Sequence, residues 1–515
     1  MLIMQQKHSA QDTIDYFHDS LTQDEYYSEG HTVAGEWGGK LAARLGLSGN
    51  VQAADFESIA RNRQPDGQKL TVRDGHNRIT SVDFNFNVPK SISLARLITG
   101  DRSIDTCMEQ ALEKTMELVE YHTQTRVRKG QHANSETTRT TGNLLWSKFL
   151  HKTSRPVEGV VDPNLHYQCI VINSTNDPIE NQTKAVNFRN LKSNAPYYQA
   201  TFHNHLATAL REQGYHIEKT EKFYDLAGVD RETIEKFSNR SKQIEQAARE
   251  KGITSAVAKA KLGAITREKK IDVPNWQRLL DEWKDRLTPA ELQQLANLKD
   301  DTNKQEYLSA DEALTYALEH RLERRSTDRL LMIQAEALKA GIGNISTDSV
   351  NEETLRGRAN LIIKEMDNEL HLTTREIRER EQEAMHNVKS GIRTQTPVAP
   401  NWQPDKSSEL SEEQAAAVST LLASRDFVNT FTGVAGGGKT RSLKTVYDEC
   451  LKRGKKMIAL APTAGASRGV LRADGFEGAT TLAAFLHNVK LQQQAKNQII
   501  LLDEAGLCGI EDMHR

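Results

Sequence analysis

Asp162-Pro163-Asn164-Leu165-His166-Tyr167-Gln168-Cys169-Ile170-Val171-Ile172-Asn173 is the stretch whose reading decides the fold. From Tyr167 on, β-branched and aromatic residues predict a strand, and Asp162-Pro163-Asn164 supplies a turn before it. Residues two apart share a strand face, so His166 and Gln168 project together. Another imidazole, His151, lies upstream in Phe149-Leu150-His151-Lys152-Thr153-Ser154-Arg155. Two tyrosine-bearing clusters, Asp15-Tyr16-Phe17 and Glu25-Tyr26-Tyr27, stand near the N-terminus. Imidazoles able to hold a divalent metal, with tyrosines in an early polar segment, point to phosphodiester cleavage by a tyrosine nucleophile.

The composition bounds this reading without deciding it. Charged residues make up 27% of 515 residues, and the net charge is −2. Such a balance does not announce a nucleic-acid binder, and it does not exclude one, because a groove can be basic on a neutral protein. Cys107, Cys169, Cys450 and Cys508 form no CxxC pair. Neither a structural zinc site nor a disulfide framework follows, and a reducing cytoplasm is expected. There is no apolar run of about 18 residues and no signal peptide.

Three zones are expected: 1–290, 291–400 and 401–515. In the first, Val82-Asp83-Phe84-Asn85-Phe86-Asn87-Val88 alternates as a half-buried strand, with Asp83, Asn85 and Asn87 on its polar face. Pro89 ends it, and Ser91 is placed to help start the next helix. Apolar spacing predicts helices over about 103–124 and 197–213. The second zone is a charged, mostly helical connector with many i,i+4 opposite-charge pairs. It closes in a proline-bearing linker before the texture turns α/β at Leu410.

Gly433-Val434-Ala435-Gly436-Gly437-Gly438-Lys439-Thr440 fits GxxxxGK[ST]. It follows Asp426–Thr432, read as a strand, and precedes a helical stretch, which is the context the motif needs. Gly433, Gly436 and Gly438 let backbone N–H groups face phosphates, Lys439 reaches the β/γ oxygens, and Thr440 can ligate Mg²⁺. Ile499-Ile500-Leu501-Leu502-Asp503-Glu504 is an apolar strand ending in carboxylates. Asp503 would hold Mg²⁺ and Glu504 would activate water. Together they predict an ATP site.

Leu410–Val418, with Gln414, resembles the adenine-reading Q motif of RecD-like superfamily 1 helicases. Ala461–Ser467 resembles their strand-contacting motif Ia, and Asp503-Glu504-Ala505-Gly506 their motif II. A second RecA-like domain does not follow before Arg515, so the expectation is a truncated P-loop domain that does not unwind DNA alone. The N-terminal zone resembles the conjugative relaxases of the F-plasmid type (the MobF class), whose proteins join a relaxase to this helicase class. Tyr26-Tyr27, Gly35–Lys40, Leu45–Gly49, Asp83–Ser91, His151–Arg155, Asp162–His166, Phe237-Ser238-Asn239-Arg240 and Thr266-Arg267 carry that resemblance.

The resemblance implies an α/β multidomain protein: an antiparallel-sheet relaxase domain with helices, a helical connector and a partial RecA-like domain. It implies that Tyr16 attacks the scissile phosphate and forms a 5′-phosphotyrosyl bond, with Tyr26 or Tyr27 acting in a second transesterification. Mg²⁺ or Mn²⁺ would sit on His151, His166 and a third position, where the family has histidine and this chain has Gln168, a weaker neutral oxygen donor. Asp83 would orient an imidazole or assist the tyrosine. Arg126, Arg128 and Lys129 are either a phosphate-contacting hairpin or a solvated charge cluster. The implied partners are single-stranded origin DNA, a coupling protein and accessory relaxosome proteins. Two alternatives stay open: a degenerate relaxase that binds the origin without cutting, and an ATP-binding helicase fragment.

Overall fold

The computed structural model describes residues 2–25, 35–72, 78–127, 137–220, 223–266, 276–299, 307–366, 368–405, 409–434 and 437–515. These fall into two compact units. The first comprises Met1–Ala317 and Leu331–Glu353, and the second Leu318–Leu330 and Thr354–Arg515.

The first unit is built on strands β1 (Ile3–Lys7), β2 (Glu36–Gly38), β3 (Ser81–Asn87), β6 (Trp146–Thr153) and β7 (Pro163–Ile172). The ribbon β4 (Gln124–Arg126) and β5 (Thr138–Thr140) stands apart from them. The five strands form one sheet in the order β1-β3-β7-β6-β2, with every pairing antiparallel. Helices α1 (Ala10–Glu25), α2 (Lys40–Arg44) and α3 (Ala53–Ala60) belong to one face. Ile14, Phe17, Phe56 and Ile59 from them pack with Phe149, Ile170 and Ile172 of the sheet, and Phe17 stacks on Phe56 at 4.0 Å. Helices α4 (Lys90–Thr99), α5 (Ser103–Tyr121), α6 (Phe188–Ser193) and α7 (Ala195–Glu212) follow, and Phe86 meets Phe202 of α7 at 5.1 Å on the opposite face. A helical segment comes next: α8 (Arg231–Lys236), α9 (Asn239–Glu250), α10 (Ala256–Ile265), α11 (Trp276–Lys284) and α12 (Pro289–Ala296).

Several local expectations change. The polar face of β3 is fully buried at Ser81 and Asp83 and partly covered at Asn85 and Asn87, because α1 lies over it, where Thr13 Oγ1 and Ser81 Oγ are 3.0 Å apart. Ser91 does not cap α4. Its hydroxyl donates to Asp225 Oδ1 at 2.6 Å and accepts from the Leu226 N–H at 3.0 Å. The turn before β7 is not Asp162-Pro163-Asn164, since Pro163 already pairs with Thr153. The chain reverses at Val157-Glu158-Gly159-Val160, where Val157 and Val160 exchange two 2.9 Å backbone bonds. Glu158 (φ 51°) and Gly159 (φ 79°) both take positive φ, the signature of a two-residue I′ hairpin turn.

In the second unit, Leu361–Met366, Glu369–Thr374 and Asp328–Arg329 make an antiparallel sheet. Met457–Ala461 lies between Thr480–Thr481 and Ile499–Leu502 in a parallel one. Asp426–Thr432 is not a strand. Only three of its seven residues are apolar, whereas strands of a parallel sheet read as nearly continuous apolar runs. Phe427 is 65% exposed, and its N–H donates to Gly391 O. The expected connector 291–400 is divided between the units. Residues 331–340 belong to the first, where Asn204 Nδ2 donates to Leu338 O and Lys219 donates to Ala340 O.

Candidate functional site

Register builds the site. His151 of β6 lies opposite His166 of β7, and on the other side of β7 Asn87 faces His166 and Asn85 faces Gln168. Asp83, Asn85, Gln168, His166 and His151 therefore share the sheet face beneath α1. The two imidazoles stack at 5.2 Å. Gln168 Nε2 donates to Asp83 Oδ2 at 3.1 Å. The carboxylate only accepts, so the amide oxygen is the end turned to His151, whose Nε2 lies 3.0 Å from it. His151 thus carries its proton on Nε2. Asp83 is 3% exposed, and it reaches the imidazole through the amide rather than directly.

His166 has the other tautomer. Its Nδ1 lies 2.9 Å from the backbone oxygen of Asn164, which can only accept, so Nδ1 is protonated and Nε2 carries the lone pair. The rotatable Asn164 amide also lies 3.0 Å from Nδ1, but the backbone oxygen is the fixed partner. Asn85 Oδ1 is buried with no hydrogen-bond partner among the described residues.

This donor set fits a divalent cation through imidazole nitrogen, with an amide oxygen as a weaker third donor. Among the described residues no group of three His, Cys, Asp or Glu side chains could hold a metal, because Gln168 stands at the third position. His151 would have to move its proton to Nδ1 before offering Nε2.

Tyr16 belongs to α1, the helix over this face; its side chain is outside the described residues, as are Tyr26 and Tyr27. Gly436, Arg128, Lys129 and Arg267 are outside them too, while Arg126 is exposed on β4.

Residues to which the sequence gave no catalytic or ligand role surround the β6–β7 hairpin. Asp162, 2% exposed, accepts from the Asn239 N–H at 2.9 Å, Asn239 Nδ2 at 3.1 Å and Arg286 Nη1 at 2.8 Å. Trp283 Nε1 donates to Val161 O at 2.9 Å. Lys90, at the start of α4, donates to Pro163 O. Burial pushes its ammonium down to about 8; Asp162 pulls the other way and Arg286 adds to the lowering. The Phe237–Arg240 segment was the visible signal, but no spacing rule links it to Asp162.

In the P-loop region Gly438, at φ 74°, precedes the helix Lys439–Lys452. Lys439 Nζ donates to Gly433 O at 2.9 Å and Val434 O at 3.1 Å. Thr440 is partly buried at the helix start, and Asp503 directly follows the strand Ile499–Leu502. Glu504 has a left-handed backbone (φ 53°), and its N–H donates to Asp503 Oδ1 at 3.0 Å. Gln414 caps its own helix, accepting from Ser411 N–H at 3.0 Å, and donates to Gly437 O at 3.1 Å. It is therefore bonded to the phosphate loop itself.

A relaxase-type antiparallel sheet with paired imidazoles, followed by a P-loop domain, is the class these features define. The TrwC relaxase profile matches residues 10–290 and an AAA domain profile residues 409–515, and the chain belongs to the TrwC relaxase family. The multifunctional conjugation protein TraI of Escherichia coli (strain K12) is 31% identical over 261 residues, 48% of this chain and 14% of that protein. A second Escherichia coli TraI is 31% identical over 239 residues, 44% of this chain and 13% of its own length. The chain thus spans a small part of the curated relatives it matches. A copper-bound structure of the conjugative relaxase TrwC in complex with oriT DNA aligns with a TM-score of 0.50 at 30% identity, covering 57% of this chain and 99% of that one. No described helix is long and apolar enough to cross a membrane.

Proposed function

We propose that this chain nicks and rejoins single-stranded DNA at a transfer origin through a 5′-phosphotyrosyl intermediate, as a cytoplasmic conjugative relaxase joined to an ATP-binding domain. The observation that carries the reading is the Asp83–Gln168–His151 chain beside the stacked His166, on the sheet face under the helix that bears Tyr16. Tyr16 Oη forms a bond to phosphorus as the bond to O3′ breaks. The phenol gives up its proton and the leaving oxygen gains one. One ester replaces another, so the strand can be resealed without ATP. Tyr26 or Tyr27 would take the second transfer.

When bound, Mg²⁺ or Mn²⁺ would polarise the phosphate. His151 and His166 would hold it, with the Gln168 oxygen as a weaker donor. Asp83 fixes the Gln168 amide and through it the His151 ring. In the P-loop, Lys439, Thr440, the glycines and Asp503 would hold ATP with Mg²⁺, and Glu504 would orient water. Gln414 would brace the loop from its neighbouring helix. Origin DNA is the proposed substrate, and a coupling protein with accessory relaxosome proteins the proposed partners.

A covalent-adduct gel tests this. Wild type and Tyr16→Phe are mixed with Mg²⁺ or Mn²⁺ and single-stranded oligonucleotides tiled from DNA flanking the gene. A DNA-linked band lost in Tyr16→Phe is expected. The commitment of the Gln168 oxygen to His151 favours one second reading, an origin-binding module that no longer cuts. A band from Gln168→His alone would establish it.

A further inference from the structure

The strands that carry His151 and His166 are not in simple register. His151 pairs with His166 and Thr153 with Pro163, so Lys152 alone stands opposite both Asn164 and Leu165. This is a bulge on β7 immediately before His166. A bulge re-aims the side chain that follows it, and here its Asn164 carbonyl also sets the His166 tautomer. Both sides of the bulge are gripped by the helical segment. The Lys152 ammonium sits 5.6 Å from the ring centre of Trp276, in α11. Trp283, fully buried, meets Trp276 edge-on at 5.6 Å and donates to Val161 O. Arg286, just past α11, lies over the Phe237 ring and bonds both Asp162 Oδ1 and Val161 O. Asn239, at the start of α9, adds two donors to the same carboxylate.

Within the hairpin Ser154 N–H donates to Asp162 O at 2.9 Å and Asp162 N–H to Ser154 Oγ at 3.2 Å. On the far side Leu165 N–H donates to Ser93 Oγ at 3.0 Å. Asp162 is therefore the knot between the two strands and the helices. A buried carboxylate with three donors holds its geometry closely, and losing a donor leaves part of a buried charge uncompensated.

We propose that Asn239 and Arg286 are positioning residues for the strand-transfer site: through Asp162 they fix the bulge that aims His166 at His151. The helical segment is then part of the site's machinery, although it donates no atom to the reacting phosphate. The proposal rests on the reading of these imidazoles given above, and its test separates the two.

The full-length chain, labelled with ¹⁵N at histidine, gives ring-nitrogen signals for His151 and His166 without metal or DNA. Asn239→Ala and Arg286→Ala should move both rings' signals, with His166 losing its single-tautomer pattern. Arg286→Lys should restore them in part. In the adduct assay at saturating DNA, each alanine variant should lower the rate of adduct formation about 10-fold or more, with DNA affinity held within about 2-fold. Because Arg286→Ala risks misfolding, Asn239→Ala is the deciding variant, as it retains the backbone donor. Unmoved His151 and His166 signals in a folded Asn239→Ala protein would overturn the proposal, whatever happens to the melting temperature. A wild type that forms no adduct would sink the strand-transfer reading, and the ring-nitrogen signals would still judge the coupling.

Discussion

The proposed chemistry turns on Gln168. Its amide has a donor end and an acceptor end, and Asp83 decides which end His151 meets. An imidazole at the same place would offer a third nitrogen. Gln168→His is expected to tighten Ni²⁺ or Mn²⁺ binding about 10-fold or more by isothermal titration. Equal affinity in the two proteins would mean that the third donor comes from elsewhere. Lys439 makes a parallel prediction in the other unit. Lys439→Ala should abolish saturable binding of a fluorescent ATP analogue while leaving the melting temperature within about 2 °C, since among the described residues its bonds go only to its own loop. Unchanged nucleotide affinity would remove Lys439 from the site. That His166 and Gln168 share a face was legible from sequence, because a two-residue spacing needs only the strand's period, whereas the place of His151 opposite His166 depends on the register between two strands. The polarity of the Asp83–Gln168–His151 chain was not, because it depends on which residues face each other across three strands.

At the scale of elements, the hairpin β6–β7 shows what a local pattern conveys and what it conceals. Its apolar core made the strand readable, but the turn was misplaced by the Asp-Pro-Asn signal. Proline is admissible as the first residue of a strand, and Glu158-Gly159 supply the real reversal. Gly159 needs its positive φ, which a β-branched side chain resists by about 1–2 kcal/mol. Gly159→Val should lower stability by that amount in urea unfolding. It should also broaden the His166 signals, because the hairpin register loosens. A neutral substitution would contradict the I′ assignment. The opposite failure occurred at Asp426–Thr432. The motif after it implied a strand, yet three scattered apolar residues gave the segment too little to bury.

For the molecule as a whole, the layer of α5 and α7 buries imidazoles that cannot charge cheaply. Burial pushes His203 down to about 3, and His122 and His205 down to about 4. In the unfolded chain these rings take protons near pH 6.5. Between pH 6.5 and about 4 the unfolded state therefore binds more protons, so stability rises with pH there and is lost on acidification. Melting temperature should fall across this window, and His203→Gln should flatten part of the fall. A slope identical to wild type would show that His203 does not contribute. The division into two units was also hidden from composition. The charged zone 291–400 looks like one connector, but residues 331–340 belong to the first unit, bonded by Asn204 of α7 and by Lys219. Long-range bonds of that kind leave no local trace.

The grip of Asn239, Trp283 and Arg286 on Asp162 also bears on where this protein can be cut. An expression fragment ending at Asp230 would keep Tyr16, Asp83, His151, His166 and Gln168, the candidate residues of the strand-transfer site. It would nevertheless expose the Asp162 carboxylate and the Val161 carbonyl to water and free the bulge before His166. The shortest piece worth purifying runs through Leu298, which is buried and packs near Gly228. The fragment ending at Asp230 should elute as an expanded, protease-sensitive species, while the longer one should elute as a compact, protease-resistant one.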